Sequence, residues 1–415
     1  MLIDSIKIIH HELHGGEYRL LADFFRLIGS YVGECRLRDG EKKTDFDVVI
    51  IIDNHLPDGK LEELKNRYPN HVILDGLDFE ASNLNAVKKQ YLHSCLDKIA
   101  GQIEKPSVVE DLKKVADVYV EKEIMQSRCS ALYLNTEVDI VKKAQENFAW
   151  AYEQIFKLAK DNDLKYLQYA KINLASMLNE LSVFLNERKI FNTRKLIEAG
   201  NELLQTEKFS NVYILQGMIA EMDAFYSTEA GDYYEMAIDS IAGKSYANYV
   251  YYRLGRYFEK IAGDEEQALA NYELSVEANR YDYRSTYKLA MWHRNKGDNT
   301  RAEKYFNKIR VILRSSATEN YLQQREYEYL YKVNYNLAQI YEEQKYYDKA
   351  LEAYQDVIRI VKQISEENRL YDEIFDGEAE RYKECLKKKL LLDPVLKKIL
   401  LLNDIKARET EKSGA

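Results

Sequence analysis

The pattern of apolar and polar residues divides the chain into two parts. Up to about residue 104, short apolar runs alternate with helical segments, beginning with the run Ile6–Ile9. Val48–Ile52 is an unbroken β-branched run, which is typical of a strand covered on both faces in a parallel sheet. We therefore predict a small doubly wound α/β domain with a parallel sheet over residues 1–104.

From residue 108 onward the pattern is almost entirely helical, and it repeats. A small residue followed four positions later by an aromatic one recurs, and two successive copies are 34 residues apart. Alanine lets two helices approach closely, and the aromatic ring one turn later fills the gap behind it. This helix–turn–helix period resembles the tetratricopeptide repeat, which implies an all-α superhelix. The copies are Ala230/Tyr234, Ala268/Tyr272, Ala302/Phe306 and Ala350/Tyr354.

The helical half is predicted to have four segments. A degenerate helical region spans 108–206, the repeats span 207–380, capping helices span 381–406, and a polar tail, predicted to be disordered, spans 407–415. The capping segment is rich in leucine and lysine and is interrupted by Pro394. A homo-oligomer contact is the alternative interpretation of this segment.

The resemblance to tetratricopeptide repeats implies a concave groove lined by the first helix of each pair. The residues on that face form an aromatic and basic set in a chain of net charge −9. Such a surface suits a protein or peptide ligand of acidic character, although several members could be helix-surface residues without a ligand. Carried over position by position, the set is Tyr249, Tyr252, Arg256, Arg284, Tyr287, Arg294, Lys332 and Tyr335.

Composition excludes several classes of function. Charges of both signs are interspersed and no domain is strongly basic, so we expect no nucleic acid partner. The four cysteines are far apart and form no CxxC pair, which favours a reducing, cytoplasmic setting over a disulfide framework or a zinc site. No apolar run is long enough for a transmembrane helix. The 34 tyrosines are interpreted mainly as helix-packing residues.

The common chemical motifs are missing from the N-terminal part. The chain has neither GxGxxG nor GxxxxGK[ST], so the usual phosphate-binding loops are absent. The stretch HHELH from His10 to His14 does not satisfy HExxH and precedes Gly15 and Gly16 at a strand end. We therefore expect no metal site there and no certain cofactor.

Two stretches, IKIIHHELHGGEYRLLADFFRLIGSYV and FDVVIIIDNHLPDGKLEEL, resemble the TIR domain family. The resemblance implies a small flavodoxin-like parallel sheet. In active members a glutamate just after the loop that follows the second strand supports cleavage of the nicotinamide–ribose bond, so the resemblance implies NAD as substrate. It assigns the catalytic role to Glu63, or to Glu62 if the alignment shifts by one residue. Asp53 is the candidate for cofactor binding, because ligands bind beyond the carboxyl ends of parallel strands. Asp53 and Asn54 stand where the family has a serine.

These observations favour a protein-interaction function. The groove of the repeats would recognise a partner and couple it to a TIR-like signalling or assembly domain, which by resemblance implies bacterial antiphage defence. The alternative is an enzyme, a TIR-type NAD⁺ glycohydrolase regulated by the repeats as a sensor. A third option is a scaffold in which the N-terminal domain only dimerises.

Overall fold

We analysed a computed structural model of the chain. The structure describes residues 3–10, 15–36, 46–77, 83–102, 107–122, 138–162, 167–206, 210–314, 324–366, 395, 397–403 and 405–406. They belong to two compact units, Met1–Asn271 and Tyr272–Ala415. His14, the predicted tail 407–415 and most of the predicted capping helices lie outside the described residues. No described helix is both long enough and apolar enough to cross a membrane.

The first unit begins with a four-stranded parallel sheet of order β2-β1-β3-β4. The β-branched run β3 is completely buried, which is the reason for its apolar sequence. The predicted strand Val48–Ile52 has the same bounds in the structure, and the apolar run His71–Leu74 is a further strand. The strands are β1 Ser5–His10, β2 Tyr31–Arg36, β3 Val48–Ile52 and β4 His71–Leu74.

Helix α1 Gly15–Leu27 connects β1 to β2, α2 Lys60–Arg67 connects β3 to β4, and α3 Leu84–Ile99 follows β4. The sequence pattern predicts the first helix over Tyr18–Tyr31, but α1 ends earlier. Gly29 has φ 102°, and the N–H of Ser30 donates to the carbonyl of Phe25 at 2.9 Å. This left-handed cap ends the helix and directs Tyr31 into β2.

The other described residues of the first unit are mainly helical. Phe24 of α1 packs against Tyr119 with ring centroids 5.9 Å apart, and both rings are fully buried. The α/β domain and these helices therefore share one compact unit. The helices are α4 Ser107–Glu121, α5 Val138–Asn162, α6 Leu167–Phe184, α7 Thr193–Thr206, α8 Ser210–Glu221, α9 Ala230–Ile241 and α10 Asn248–Tyr257, and α11 Glu265–Ala278 begins in the first unit and ends in the second.

The second unit contains two helix pairs, α12 Tyr283–Asn295 with α13 Asn299–Arg314 and α14 Gln324–Glu343 with α15 Tyr347–Glu366. The small and aromatic residues of the repeat pattern form its core. Ala302, Phe306, Ala350 and Tyr354 are all fully buried. Their burial agrees with the packing role that the pattern predicts.

The turn before the second helix has a common conformation in three of the four repeat copies. Gly263, Gly297 and Lys345 have φ values of 70°, 78° and 61°. Each lies five residues before the alanine of its repeat pair. In two of the turns an aspartate, Asp264 or Asp298, caps the next helix by accepting a backbone N–H bond. The left-handed turn residue reverses the chain between paired helices.

Candidate ligand-binding surface of the repeats

Three tyrosines form a cluster where α12 and α14 run side by side. The rings of Tyr283 and Tyr329 meet edge to face with centroids 5.0 Å apart, and Tyr287 meets Tyr329 at 5.3 Å in the same manner. All three are half-buried, so each of these residues is partly exposed to solvent. We call Tyr283, Tyr287 and Tyr329 the tyrosine platform. Half-buried aromatic rings of this kind supply rigid contact area to a ligand.

Two cations flank the tyrosine platform. The guanidinium of Arg284 lies 5.9 Å from the Tyr283 ring centroid, and Nζ of Lys332 lies 5.4 Å from that of Tyr329. Each also has a carboxylate at the edge of ion-pair distance, since Asp282 lies 4.0 Å from Arg284 and Glu328 lies 3.7 Å from Lys332. The side chain of Arg284 is 27% exposed and that of Lys332 is 44% exposed, so both cations reach the surface beside the platform.

The carboxylate of Asp282 is turned into the unit rather than toward a ligand. Its Oδ2 accepts hydrogen bonds from Ser275 at 2.6 Å and Ser285 at 2.7 Å, and Oδ1 accepts the backbone N–H of Arg284 at 3.1 Å. Asp282 thereby caps α12 and fixes the start of the helix that carries Tyr283. The surface presented by this end of α12 is correspondingly basic and aromatic.

Tyr335 is part of the packing between α14 and α15. Its ring stacks on Tyr331 at 6.2 Å and meets Tyr354 edge to face at 6.1 Å. The Tyr354 hydroxyl donates to Glu342 at 3.1 Å. Burial raises the pKa of Tyr331 to about 12, so this group stays neutral at physiological pH.

Arg294 binds Glu343 in a bidentate ion pair that joins the ends of α12 and α14. Nη1 donates to Oε2 at 2.6 Å and Nη2 donates to Oε1, while Nη1 also donates to Asn299 Oδ1 at 2.6 Å. Asn299 donates to Glu343 Oε2 at 3.3 Å and closes the triad. The hydrogen bonds from Arg294 lower the pKa of Glu343, which keeps the carboxylate ionised.

The predicted groove residues of the first unit lie on α10, and Tyr249 is engaged within the unit. Its hydroxyl accepts hydrogen bonds from Arg253 Nε at 3.2 Å and Nη2 at 3.0 Å. Its ring lies 6.4 Å from Tyr31 at the start of β2. Tyr252 and Arg256 are half-buried on the same helix. This end of α10 thus contacts the sheet of the α/β domain.

Contacts between the sheet and the helices extend beyond Tyr249. Tyr31 stacks on Tyr246 with centroids 4.7 Å apart, and Phe46 lies 5.8 Å from the same ring. Asn211 of α8 donates to the backbone carbonyls of Asp4 and Gly29. Tyr246 was not among the predicted residues, and only the high tyrosine content of the helical half hinted at such contacts.

The proposed catalytic carboxylates lie on the exposed side of α2. Glu63 pairs with Lys60 at 2.9 Å and Arg67 at 2.8 Å, and Glu62 pairs with Lys65 at 2.6 Å. The hydrogen bond from Lys60 is the largest cause that lowers the pKa of Glu63, which holds it as a carboxylate. All three ion pairs lie within α2 and join residues three or four positions apart, which is about one helical turn.

Asp53 lies at the carboxyl end of β3, as the sequence predicts. Its N–H donates to the carbonyl of Leu74 at 3.0 Å, and its own carbonyl accepts from Leu56 at 3.2 Å. Within the part of the chain that the structure describes, no group of three His, Cys, Asp or Glu side chains could hold a metal ion. The catalytic role of Glu63 or Glu62 and the cofactor-binding role of Asp53 stay predictions.

Comparison with known families identifies one repeat directly. Residues 333–361 match the family model of the tetratricopeptide repeat. The match covers the second half of α14 and the first part of α15, and it contains the predicted copy Ala350/Tyr354. The chain therefore contains a tetratricopeptide repeat, whereas the TIR-like interpretation of residues 1–104 stays a prediction.

Several solved structures are similar at low identity. BtubC (BKLC) from P. vanneervenii is 17% identical over 53% of this chain and 90% of that chain, with a TM-score of 0.40. Yeast Tom70 is 15% identical over 79% and 76%, with a TM-score of 0.39. A human IFIT1 dimer with PPP-AAAA is 13% identical over 80% and 77%, with a TM-score of 0.38. No curated protein matches the chain.

Proposed function

We propose that the chain is a protein-interaction protein whose second unit binds a partner peptide on the tyrosine platform. The observation that carries this proposal is the half-buried cluster of Tyr283, Tyr287 and Tyr329 with Arg284 and Lys332 at its sides. An apolar or aromatic ligand side chain would pack on the rings, while neighbouring carboxylates would pair with the two cations. The ligand is thus an acidic peptide with apolar residues.

A peptide array tests this proposal with defined probes. Fluorescent 12-residue peptides that mix Glu or Asp with Phe, Leu or Ile are compared by anisotropy with peptides in which Lys replaces every acid. We expect the acidic set to bind the full-length protein and the lysine set not to bind. Binding should weaken as salt rises, because both ionic contacts are partly exposed.

A double variant locates the binding surface. Arg284→Gln with Lys332→Gln removes both platform cations, and at about 1 kcal/mol per contact the affinity should fall about 30-fold. Arg301→Gln with Lys304→Gln is the matched control, since it removes the same charge from exposed positions of α13. Equal affinity losses in the two double variants would contradict binding at the platform.

We propose that the α/β domain serves as the signalling or assembly module to which the repeats are coupled, in a bacterial defence setting that the TIR resemblance implies. Its parallel sheet of order β2-β1-β3-β4 supports a doubly wound fold of this type. The structure also gives Tyr31 and Tyr249 as a contact between this domain and the repeat helices.

An NAD⁺ glycohydrolase is the second candidate, and the position of Glu63 on the helix after β3 supports it. The test is nicotinamide release by the purified protein, alone and with any acidic peptide that binds. Release should be abolished by Glu63→Gln and retained by Glu62→Gln, which changes an adjacent carboxylate of the same helix. Absence of release in both conditions would leave the binding function alone.

A further inference from the structure

The sequence presents Arg294 as a ligand-binding residue, but its contacts indicate a different role. Its guanidinium is bound on both terminal nitrogens by Glu343 and Asn299, and only 16% of its side chain is exposed. A planar guanidinium held in a bidentate pair has little capacity left for a second carboxylate. The three residues come from α12, α13 and α14, so their triad joins three helices.

A second contact joins α12 and α14 in the same register. The Asn336 amide interacts with the Tyr287 hydroxyl and opposes the rise in its pKa that burial causes, and these residues are separated along the chain by the same 49 positions as Arg294 and Glu343. The two ties are seven residues apart, or about 10 Å along each helix. Because both contacts join residues with the same sequence separation, together they fix the spacing and the axial register of α12 and α14.

The position of Glu343 is locally unfavourable for a carboxylate. It is the last residue of α14, where the partial negative charge of the helix end disfavours a carboxylate. The ion pair with Arg294 offsets that cost. Arg294 itself lies in the last turn of α12, where the helix dipole favours a cation. A carboxylate at an unfavourable helix end that pairs with a residue distant in sequence indicates a positioning function for Glu343.

We infer that Arg294 and Glu343 are positioning residues that hold α12 and α14 at the spacing the tyrosine platform requires, and that neither contacts the ligand. Tyr283 and Tyr287 lie on one of these helices and Tyr329 lies on the other, so their edge-to-face contacts depend on that spacing. This inference rests on the proposed function for the use of the platform. Its structural part can be tested without a ligand.

A charge-swap experiment on the full-length protein tests the inference. The variants are Arg294→Glu, Glu343→Arg and the double swap that carries both, with Arg301→Glu as a control on α13. One readout is the affinity of the acidic fluorescent peptide probe. The other is amide hydrogen exchange of the segments that contain Tyr283–Leu289 and Glu328–Asn336, which reports local opening of the two helices.

We expect each single variant to weaken peptide binding about tenfold and to speed exchange in both segments, because like charges then face each other. The double swap should restore affinity to within about threefold and return exchange toward the original rate, since the ion pair is rebuilt with opposite polarity. Arg301→Glu should change neither readout. A role confined to general stability would speed exchange across the whole second unit instead.

Two outcomes would overturn the inference. If the double swap binds as weakly as Arg294→Glu, the guanidinium itself contacts the ligand. If the single variants exchange like the original protein, the pair does not hold the two helices. Should no peptide bind the original protein, the proposed function fails by that result alone, and the exchange arm still decides whether the pair sets the spacing.

Discussion

Replacing Asp4 with asparagine removes a charge that the fold disfavours while keeping the shape of the side chain. Burial is the largest cause that raises the pKa of Asp4 to about 6, followed by the charge of Asp47, and Lys244 and the amino terminus oppose the rise. The Oδ1 atom accepts no hydrogen bond from the described residues. Tyr246, which is nearby, remains neutral because burial raises its pKa.

The sign of the effect follows from the direction of this shift. Below about pH 4 the Asp4 carboxyl is protonated in both the folded and unfolded chain, so Asp4→Asn changes little. Between about pH 4 and pH 6 the folded state holds its proton more tightly, and the original protein loses stability as pH rises. Above about pH 6 the full penalty is present, and the variant is the more stable protein.

The magnitude is bounded by the shift from the ordinary value of 3.8 to about 6. At about 1.4 kcal/mol for each pKa unit, the upper limit is about 3 kcal/mol. Asp4 is only half-buried, and solvent screening reduces the expected gain to about 1 kcal/mol. That value is still well above the error of a comparison between matched unfolding curves.

Urea unfolding followed by circular dichroism at pH 4.0, 5.0, 6.0 and 7.5 checks this prediction. The measured quantity is the difference in unfolding free energy between Asp4→Asn and the original protein at each pH. Asp239→Asn, at an exposed position of α9, is the control and should show no pH-dependent difference. A difference for Asp4→Asn that is constant with pH, or that favours the original protein at pH 7.5, would refute the reasoning.

Three further substitutions test the packing. In Gly217→Ala the new Cβ would lie 2.5 Å from the Tyr234 ring, so we expect a loss of about 1–3 kcal/mol in urea unfolding, whereas Gly101→Ala, which meets open space, should cost far less. Lys345→Gly relieves a positive φ of 61° and should gain about 0.5–1 kcal/mol; a loss would contradict this. Asn211→Ala should cost about 1–2 kcal/mol by removing hydrogen bonds to two backbone carbonyls of the α/β domain, as hydrogen exchange of β1 would report.

The local pattern of apolar and polar residues predicts much of the fold, because apolar positions in the sequence are the ones that become buried. The β-branched run Val48–Ile52 is a strand buried on both faces, and its bounds follow from the sequence. The buried positions Ala302 and Phe306 likewise follow from their spacing in the repeat. The end of α1 could not be predicted as well, because the pattern continues past Gly29, whose left-handed conformation ends the helix.

The candidate site is less predictable, because exposure does not follow from helix position alone. The sequence places Tyr249, Tyr287 and Arg294 on one type of helix face, and the structure gives them three different environments. Tyr287 belongs to the tyrosine platform, Arg294 is held by Glu343, and Tyr249 lies against the sheet. Each difference arises from a partner that is distant in sequence.

The strands of the α/β domain, the helix pairs and the small and aromatic residues that pack them follow from local periodicity and side-chain size, which can be read from the sequence. Which members of the aromatic and basic face are exposed to a ligand depends on contacts between residues that are distant in sequence. The pairing of Arg294 with Glu343 depends on the register between α12 and α14. The contact of Tyr31 with Tyr246 depends on the sheet meeting the helices that follow it. Neither contact can be predicted from any single stretch of the sequence.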